Sequence, residues 1–353
     1  MTWIVGSLVC LGLAMPASAQ PPPKITITVP AAWLRTEPSL VAPRSALVSH
    51  GQFYDVIGRT ADNRWWLLNL PNQRAAAWLL ADLGAVYAGD MEAAAVLTPT
   101  LTLPRLPARR RMSARHSTPL PVGVPSITPK HRALYRASAE RGKDLGMFAV
   151  VGDCNSMPAV YLQRLATGAF DAHRLSPELQ RVVQHFWRSF GRVSLAANGG
   201  LGAAAVMDPL WADGALCDVR RGETPFACEL RHSRASIVFV GLGTQEQYTW
   251  REFEAHYRAI VEHALREGVL PVLVTKADDI EVFSGAPSQH INTVIRRVAR
   301  EYDVPLMDFW AATRSLPNYG LVDEGDKDFH LNAAGMDLRL LLTLHTLAAI
   351  LGE

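Results

Sequence analysis

Apolar residues fall along this chain in two rhythms. From Lys24 to about Val86 they come in short runs broken by turns: Ile25-Thr26-Ile27-Thr28-Val29, Tyr54-Asp55-Val56-Ile57, Trp65-Trp66-Leu67-Leu68 and Ala77-Trp78-Leu79-Leu80. Short strands at that spacing predict a small all-β barrel. From Leu145 onward strand-like runs alternate with helical periodicity, which predicts a parallel sheet with helices on both faces. Ser176-Pro177-Glu178 reads as a capped helix start, and Leu179, Val182, Val183, Phe186, Trp187 and Phe190 then form one apolar stripe. Thr249-Trp250-Arg251-Glu252 reads as a capping box before a helix that Gly268 ends. A strand over Leu270 to Val274, a helix from Ser288 to Tyr302, a strand-like run Pro305 to Phe309 and a helix from Asn332 towards Leu351 follow. Five strand-like runs separated by helices predict a three-layer α/β/α sandwich.

Between the two rhythms, residues 91–130 are rich in Pro, Arg, Ser and Thr and read as a partly extended, mobile linker. Its basic cluster, Arg105 and Arg109 to Arg115, sits in that linker composition and reads as solvated. The expected division is therefore a leader over 1–19, a β domain over 24–90, the linker over 91–130 and an α/β domain over 131–353. The leader rests on the apolar segment Trp3 to Met15 and the small-residue site Pro16-Ala17-Ser18-Ala19, and implies a secreted or envelope-associated protein with no membrane span once matured. A net charge of +2 over 353 residues gives no electrostatic case for nucleic acid.

Of the 4 cysteines, Cys10 falls in the leader. Cys217 and Cys228 bracket the short loop Asp218 to Ala227, so a local disulfide is expected there, with Cys154 left free. No Cys-x-x-Cys pair with a nearby His is present, so neither a metal nor a cofactor is expected.

The chemistry points to Phe148-Ala149-Val150-Val151-Gly152-Asp153-Cys154-Asn155-Ser156, an apolar strand emptying into a tight turn with Cys154 at its tip. In α/β proteins such strand ends are where ligands bind. Four blocks in order, Gly152-Asp153-Cys154, Asn198-Gly199-Gly200-Leu201-Gly202, Gly243-Thr244-Gln245-Glu246 and Asp326-Lys327-Asp328-Phe329-His330, resemble those of the SGNH (GDSL-type) hydrolases. Over the last two-thirds of the chain the resemblance implies the SGNH hydrolase fold, a flavodoxin-like sandwich. It also implies Cys154 as nucleophile, His330 as base, Asp328 or Asp326 as its orienting carboxylate with Asp328 preferred, and Gly200, Gln245, Asn198 and Asp153 as oxyanion or substrate-binding residues. Three positions depart from the family pattern: Cys154 stands for Ser, Gln245 for Asn, and Lys327 for the usual Asp. A nearby imidazolium and a helix N-terminus are expected to favour the thiolate.

Trp33-Leu34-Arg35-Thr36-Glu37-Pro38, Gly51, Trp65-Trp66 and Trp78-Leu79 resemble a bacterial SH3-like domain, whose tryptophans either fill a core or line a groove. Such domains bind cell-wall peptide or glycan. Together these implications describe an exported acyl-ester hydrolase acting on O-acylated cell-wall glycans; the alternative is an inactive protein of that fold that binds a carbohydrate or acyl ligand. Ser156 reads as a capping residue, His345 as packing, His256 and His263 as solvated, and Lys276-Ala277-Asp278-Asp279 as a solvated loop.

Overall fold

The computed structural model describes residues 21–70, 75–98, 121–323, 325 and 328–352. The expected leader, the basic cluster and Asp326 lie outside the described residues.

Seven strands, β1 (Lys24–Ile27), β2 (Ala31–Arg35), β3 (Arg44–Ser49), β4 (Phe53–Arg59), β5 (Trp65–Leu70), β6 (Ala75–Leu80) and β7 (Gly84–Ala88), form one antiparallel sheet in the order β3-β2-β6-β5-β4-β1-β7. Alternation buries Ile25, Ile27, Ala32, Leu34, Ala46 and Val48. Trp65, Trp66 and Trp78 are buried with them, so these indoles are core. Residues 91–98 pack against this sheet: Met91 and Ala94 are buried, and Leu97 N–H donates to Arg59 O at 2.8 Å. Composition had placed them in the linker because Ala and Pro spacing does not register that Met91 and Leu97 supply apolar cover.

The second domain comprises α1 (Pro129–Ala137), β8 (Asp144–Gly152), α2 (Gln163–Thr167), α3 (Pro177–His185), α4 (Trp187–Phe190), α5 (Pro225–Ser233), β9 (Ala235–Gly241), α6 (Phe253–Arg266), β10 (Leu270–Val274), α7 (His290–Tyr302), β11 (Leu306–Met307), α8 (Phe309–Thr313) and α9 (Ala333–Leu351). The expected domain boundary at 130/131 falls inside α1, whose cap is Thr128. The sheet is parallel, in the order β11-β10-β9-β8. A fifth run is reduced to one parallel bridge, Gly152 to Ala197, because Ser194 Oγ donates to Val150 O at 2.7 Å and accepts Ala196 N–H at 3.0 Å where a ladder would otherwise run. Counting that bridge, the order is the flavodoxin-like one.

Consecutive β8 residues feed opposite cores. Phe148 and Val150 face α3 and α9, and Ala149 and Val151 face α5, α6 and α7. A central strand covered on both faces reads as a continuous apolar run. Ser176 caps α3, Thr224 caps α5 and Asn332 caps α9, each accepting a backbone N–H of the first turn. Thr249 does not act this way: residues 249–252 form turns, α6 begins at Phe253, and its N-cap Glu252 makes no side-chain bond. Cys217 and Cys228 form a disulfide, and Cys154 is the free thiol among the described cysteines.

The two domains share one apolar core. Arg35, 1 % exposed, reaches from β2 to Leu165 O at 2.9 Å, and a Cβ on Gly168 would meet Trp33 at 2.7 Å.

Candidate active site

Gly152 closes β8 where nothing larger fits: an added Cβ would lie 2.3 Å from both Gly241 O and Ser156 Cβ. The chain then makes one 3₁₀ turn, Cys154–Ser156, capped by Asp153. One Asp153 carboxylate oxygen accepts Asn155 N–H at 3.1 Å and the other accepts Thr244 N–H at 3.1 Å, which locks the turn after β8 to the turn after β9. Ser156 is fully buried, donates to Gly241 O and accepts Arg339 Nη2 at 2.7 Å. It is a brace beneath the turn rather than a cap.

Asn155 joins this turn to the far end of the polypeptide. Its Nδ2 donates to Phe329 O at 2.7 Å and its Oδ1 accepts Leu331 N–H at 3.1 Å, gripping the peptide groups on either side of His330. His330 is exposed, its ring 4.1 Å from that of Phe329. Asp328 accepts Asn318 Nδ2 at 2.7 Å. Cys154 is half-buried, its sulfur hydrogen-bonded by the Gln245 side chain, and a Cβ on Gly199 would be 3.9 Å from Cys154 Cβ. The loop Asn198–Gly202 therefore borders the thiol, with Asn198 and Gly200 exposed and Gly200 at φ +95°. The four sequence blocks meet at one end of the parallel sheet.

The electrostatics run against the expected thiolate. Burial first, then the Asp153 carboxylate, push the Cys154 thiol up to about 12; Asp278 adds to the rise, and Asn155 N–H and Gln245 oppose it. A three-residue 3₁₀ turn offers too little dipole to reverse this. Burial likewise raises the Asp153 carboxyl to about 6, with Arg339 opposing and Asp278 assisting.

Lys276 and Asp278, expected in a solvated loop, are 7 % and 2 % exposed. Lys276 Nζ pairs with both Asp278 and Glu281, and Asp278 Oδ2 accepts Thr244 Oγ1 at 2.8 Å, so the segment is a buried ionic floor beneath the site. Sequence shows charges but not their partners, and here pairing is what permits burial. A small cavity of about 10 Å³, room for roughly one water, lies among Asp153, Lys276, Thr244 and Arg339. His263 also departs from expectation, half-buried with its ring 5.2 Å from that of Phe226.

Glu246 is the most exceptional carboxyl. It is 4 % exposed, one oxygen accepts Ala203 N–H, and the other has no hydrogen-bond partner. Burial, with Asp153 adding to it, raises Glu246 to about 7. Because the folded state holds this proton above the unfolded value of about 4.3, stability falls as pH rises from about 4 to 7. Glu246→Gln keeps the acceptor for Ala203 and removes the charge. Its stability should match the parent's near pH 4 and exceed it at pH 8, by at most about 4 kcal/mol at ~1.4 kcal/mol per pH unit, and its melting temperature should follow. Parallel melting profiles from pH 4 to 8 would refute this.

Asn155, Arg339 and the buried role of Glu246 escaped the sequence reading. Arg339 did leave a signal, since Asp337 and Arg339 are the only Asp, Glu, Lys or Arg residues in the 19-residue helix α9.

The model of the GDSL-like Lipase/Acylhydrolase family matches residues 162–338, half of the chain. That span holds the Asn198, Gln245 and His330 blocks and begins after Cys154. A catalytic mutant of an acetylxylan esterase from Geobacillus stearothermophilus is similar at 13% identity over 57% of this chain and 93% of its own, with a TM-score of 0.35. A GDSL-like lipase from Bacteroides thetaiotaomicron is similar at 11% identity over 62% and 98%, also at 0.35. Among curated proteins no match is found.

Proposed function

The chain belongs to the GDSL-like lipase/acylhydrolase family, and from that membership we propose that it is an exported acyl-ester hydrolase with Cys154 as nucleophile, acting on O-acyl groups of cell-wall glycans. Cys154 Sγ attacks the ester carbonyl while its proton passes to the His330 imidazole. The oxyanion is met by the backbone N–H groups of Cys154 and Gly200 and by the Gln245 amide. Collapse expels the glycan alkoxide, which takes the proton from His330 and leaves a thioester on Cys154. Water, deprotonated by His330, then releases the carboxylic acid and restores the thiol. Asp328, itself held by Asn318, is the carboxylate that orients the imidazole, with Asp326 the other candidate.

The observation that carries this reading is the Asn155 clamp, which fastens the peptide groups flanking His330 to the neighbour of Cys154. The Cys217–Cys228 disulfide supports export, because such bonds persist in oxidising compartments. The all-β domain is assigned as SH3-like, with cell-wall peptide or glycan as its partner.

One observation favours a second reading, a binding protein without turnover: a thiol at about 12 carries almost no thiolate at neutral pH. The two separate on the intact chain assayed with a short-chain aryl ester and an O-acetylated glycan. Turnover that falls at least ~10²-fold in kcat/KM on His330→Ala upholds the hydrolase. Absence of turnover from pH 5 to 10, with glycan binding retained, upholds the binding protein.

A further inference from the structure

A second cleft lies away from Cys154. It holds about 500 Å³ and lies on the seam between the two domains, with Leu40, Asp62, Trp65 and Leu97 on one wall and Gln184 and Trp187 on the other. That volume lies in the range of small-molecule sites. We propose that this cleft is a binding site for a neutral oligosaccharide and holds the polymer at a distance from the acyl site. The inference rests on the glycan part of the function above and not on the nucleophile.

Position separates the two sites. His185, at the end of α3 between Gln184 and Trp187, bonds Leu145 O at 3.0 Å, near the start of β8. Cys154 lies beyond the other end of that strand. At a rise of ~3.3 Å per residue, Leu145 to Gly152 spans about 23 Å. The cleft therefore cannot be the acyl pocket, and an extended ligand is what would engage both.

Chemistry decides the ligand class. Trp187 is half-buried at the wall, with the Arg64 guanidinium 5.2 Å from its ring centre, and the largely buried Trp65 also lines the cleft. Indole surface suits the C–H face of a pyranose as well as an alkyl chain. The polar groups discriminate. The half-buried Gln184 amide makes no hydrogen bond among the described residues, and Asp62 uses only Oδ1, on Thr60 Oγ1 at 2.6 Å and Arg64 N–H at 3.2 Å. An alkyl chain would desolvate these groups without pairing them, at about 1–3 kcal/mol each. Sugar hydroxyls donate to the free Asp62 oxygen and pair both ends of the Gln184 amide. The walls are fixed relative to each other by Arg35 on Leu165 O at 2.9 Å and by the Arg64 guanidinium lying over the Trp187 ring across the seam, so the site is preorganised.

The test is a titration of the full chain with N-acetylchitotetraose and xylotetraose, followed by calorimetry and tryptophan fluorescence. The intact protein should bind one of them saturably, with Trp187→Ala weakening binding at least tenfold. Gln184→Leu, which removes no existing hydrogen bond, should weaken it at least threefold, and it serves if Trp187→Ala fails to fold. Aryl-ester turnover should stay within twofold in both variants. Binding with no turnover would sink the hydrolase and leave this site standing. Absence of saturable binding to either sugar, or binding unchanged in the folded variants, would overturn the site, as would capture of a wall peptide in place of the sugars.

Discussion

Cys154→Ala is expected to lower kcat/KM for a short-chain aryl ester by at least ~10³-fold, whereas Cys154→Ser stays within about tenfold of the parent. The asymmetry follows from the thiol's surroundings. Sulfur's advantage over oxygen at neutral pH is ionisation, and burial together with Asp153 removes it: at about 12 the thiolate fraction at pH 7 is roughly 10⁻⁵. A nucleophile that stays protonated must lose its proton to a base as it attacks, and a serine hydroxyl does this equally well. Alkylation by iodoacetamide provides an independent check on the intact protein. Its rate should be slow at pH 7 and keep rising beyond pH 9. Rapid alkylation at pH 6–7 would mean an activated thiolate, and an alanine variant with undiminished turnover would remove Cys154 from the chemistry.

That thiol also shows where sequence reasoning reaches and where it stops. The apolar run of β8, the Gly-Asp-Cys turn, the helix cap at Ser176 and the start of the last helix at Asn332 are local features, carried by neighbouring residues, and they were legible. The glycine that ends β8 has its reason in the fold, since no side chain fits at Gly152 between Gly241 and Ser156. Pairing across long separations was not legible. Asn155 and Phe329 lie 174 positions apart, so the clamp that joins two motif blocks appears only in three dimensions. The segment 276–279 was read as solvated from its charges, although Lys276 is buried between Asp278 and Glu281. The expected thiolate met a different obstacle: burial of Cys154, the first cause of its raised value, is set by the packed loops around it and does not show in the local sequence, and the adjacent Asp153 carboxylate adds to it.

Arg339→Met should cost about 3–5 kcal/mol, because it leaves two buried acceptors without their charged donor, at about 1.5–3 kcal/mol for each such bond. The guanidinium is 5 % exposed and lies over Tyr161 at 4.9 Å and Phe309 at 5.5 Å. It donates to Asn155 O at 2.8 Å and Ser156 Oγ at 2.7 Å, and it is the main group restraining the Asp153 carboxyl against burial. Methionine can replace the apolar stem but neither donor nor charge. The deficit should depend on pH with a defined sign. Asp153 already titrates at about 6 in the fold, above its unfolded ~3.9, so stability falls as pH rises through that window. Losing Arg339 raises the folded value further, so the falling limb deepens and extends above pH 6, and the penalty is larger at pH 8 than at pH 5. In an Asp153→Asn background that pH dependence should vanish while the loss of the two hydrogen bonds remains. Denaturation midpoints of the four proteins at pH 5 and 8 measure this directly, and a penalty equal at both pH values in the Asp153 background would show that Arg339 does not serve as the counter-charge.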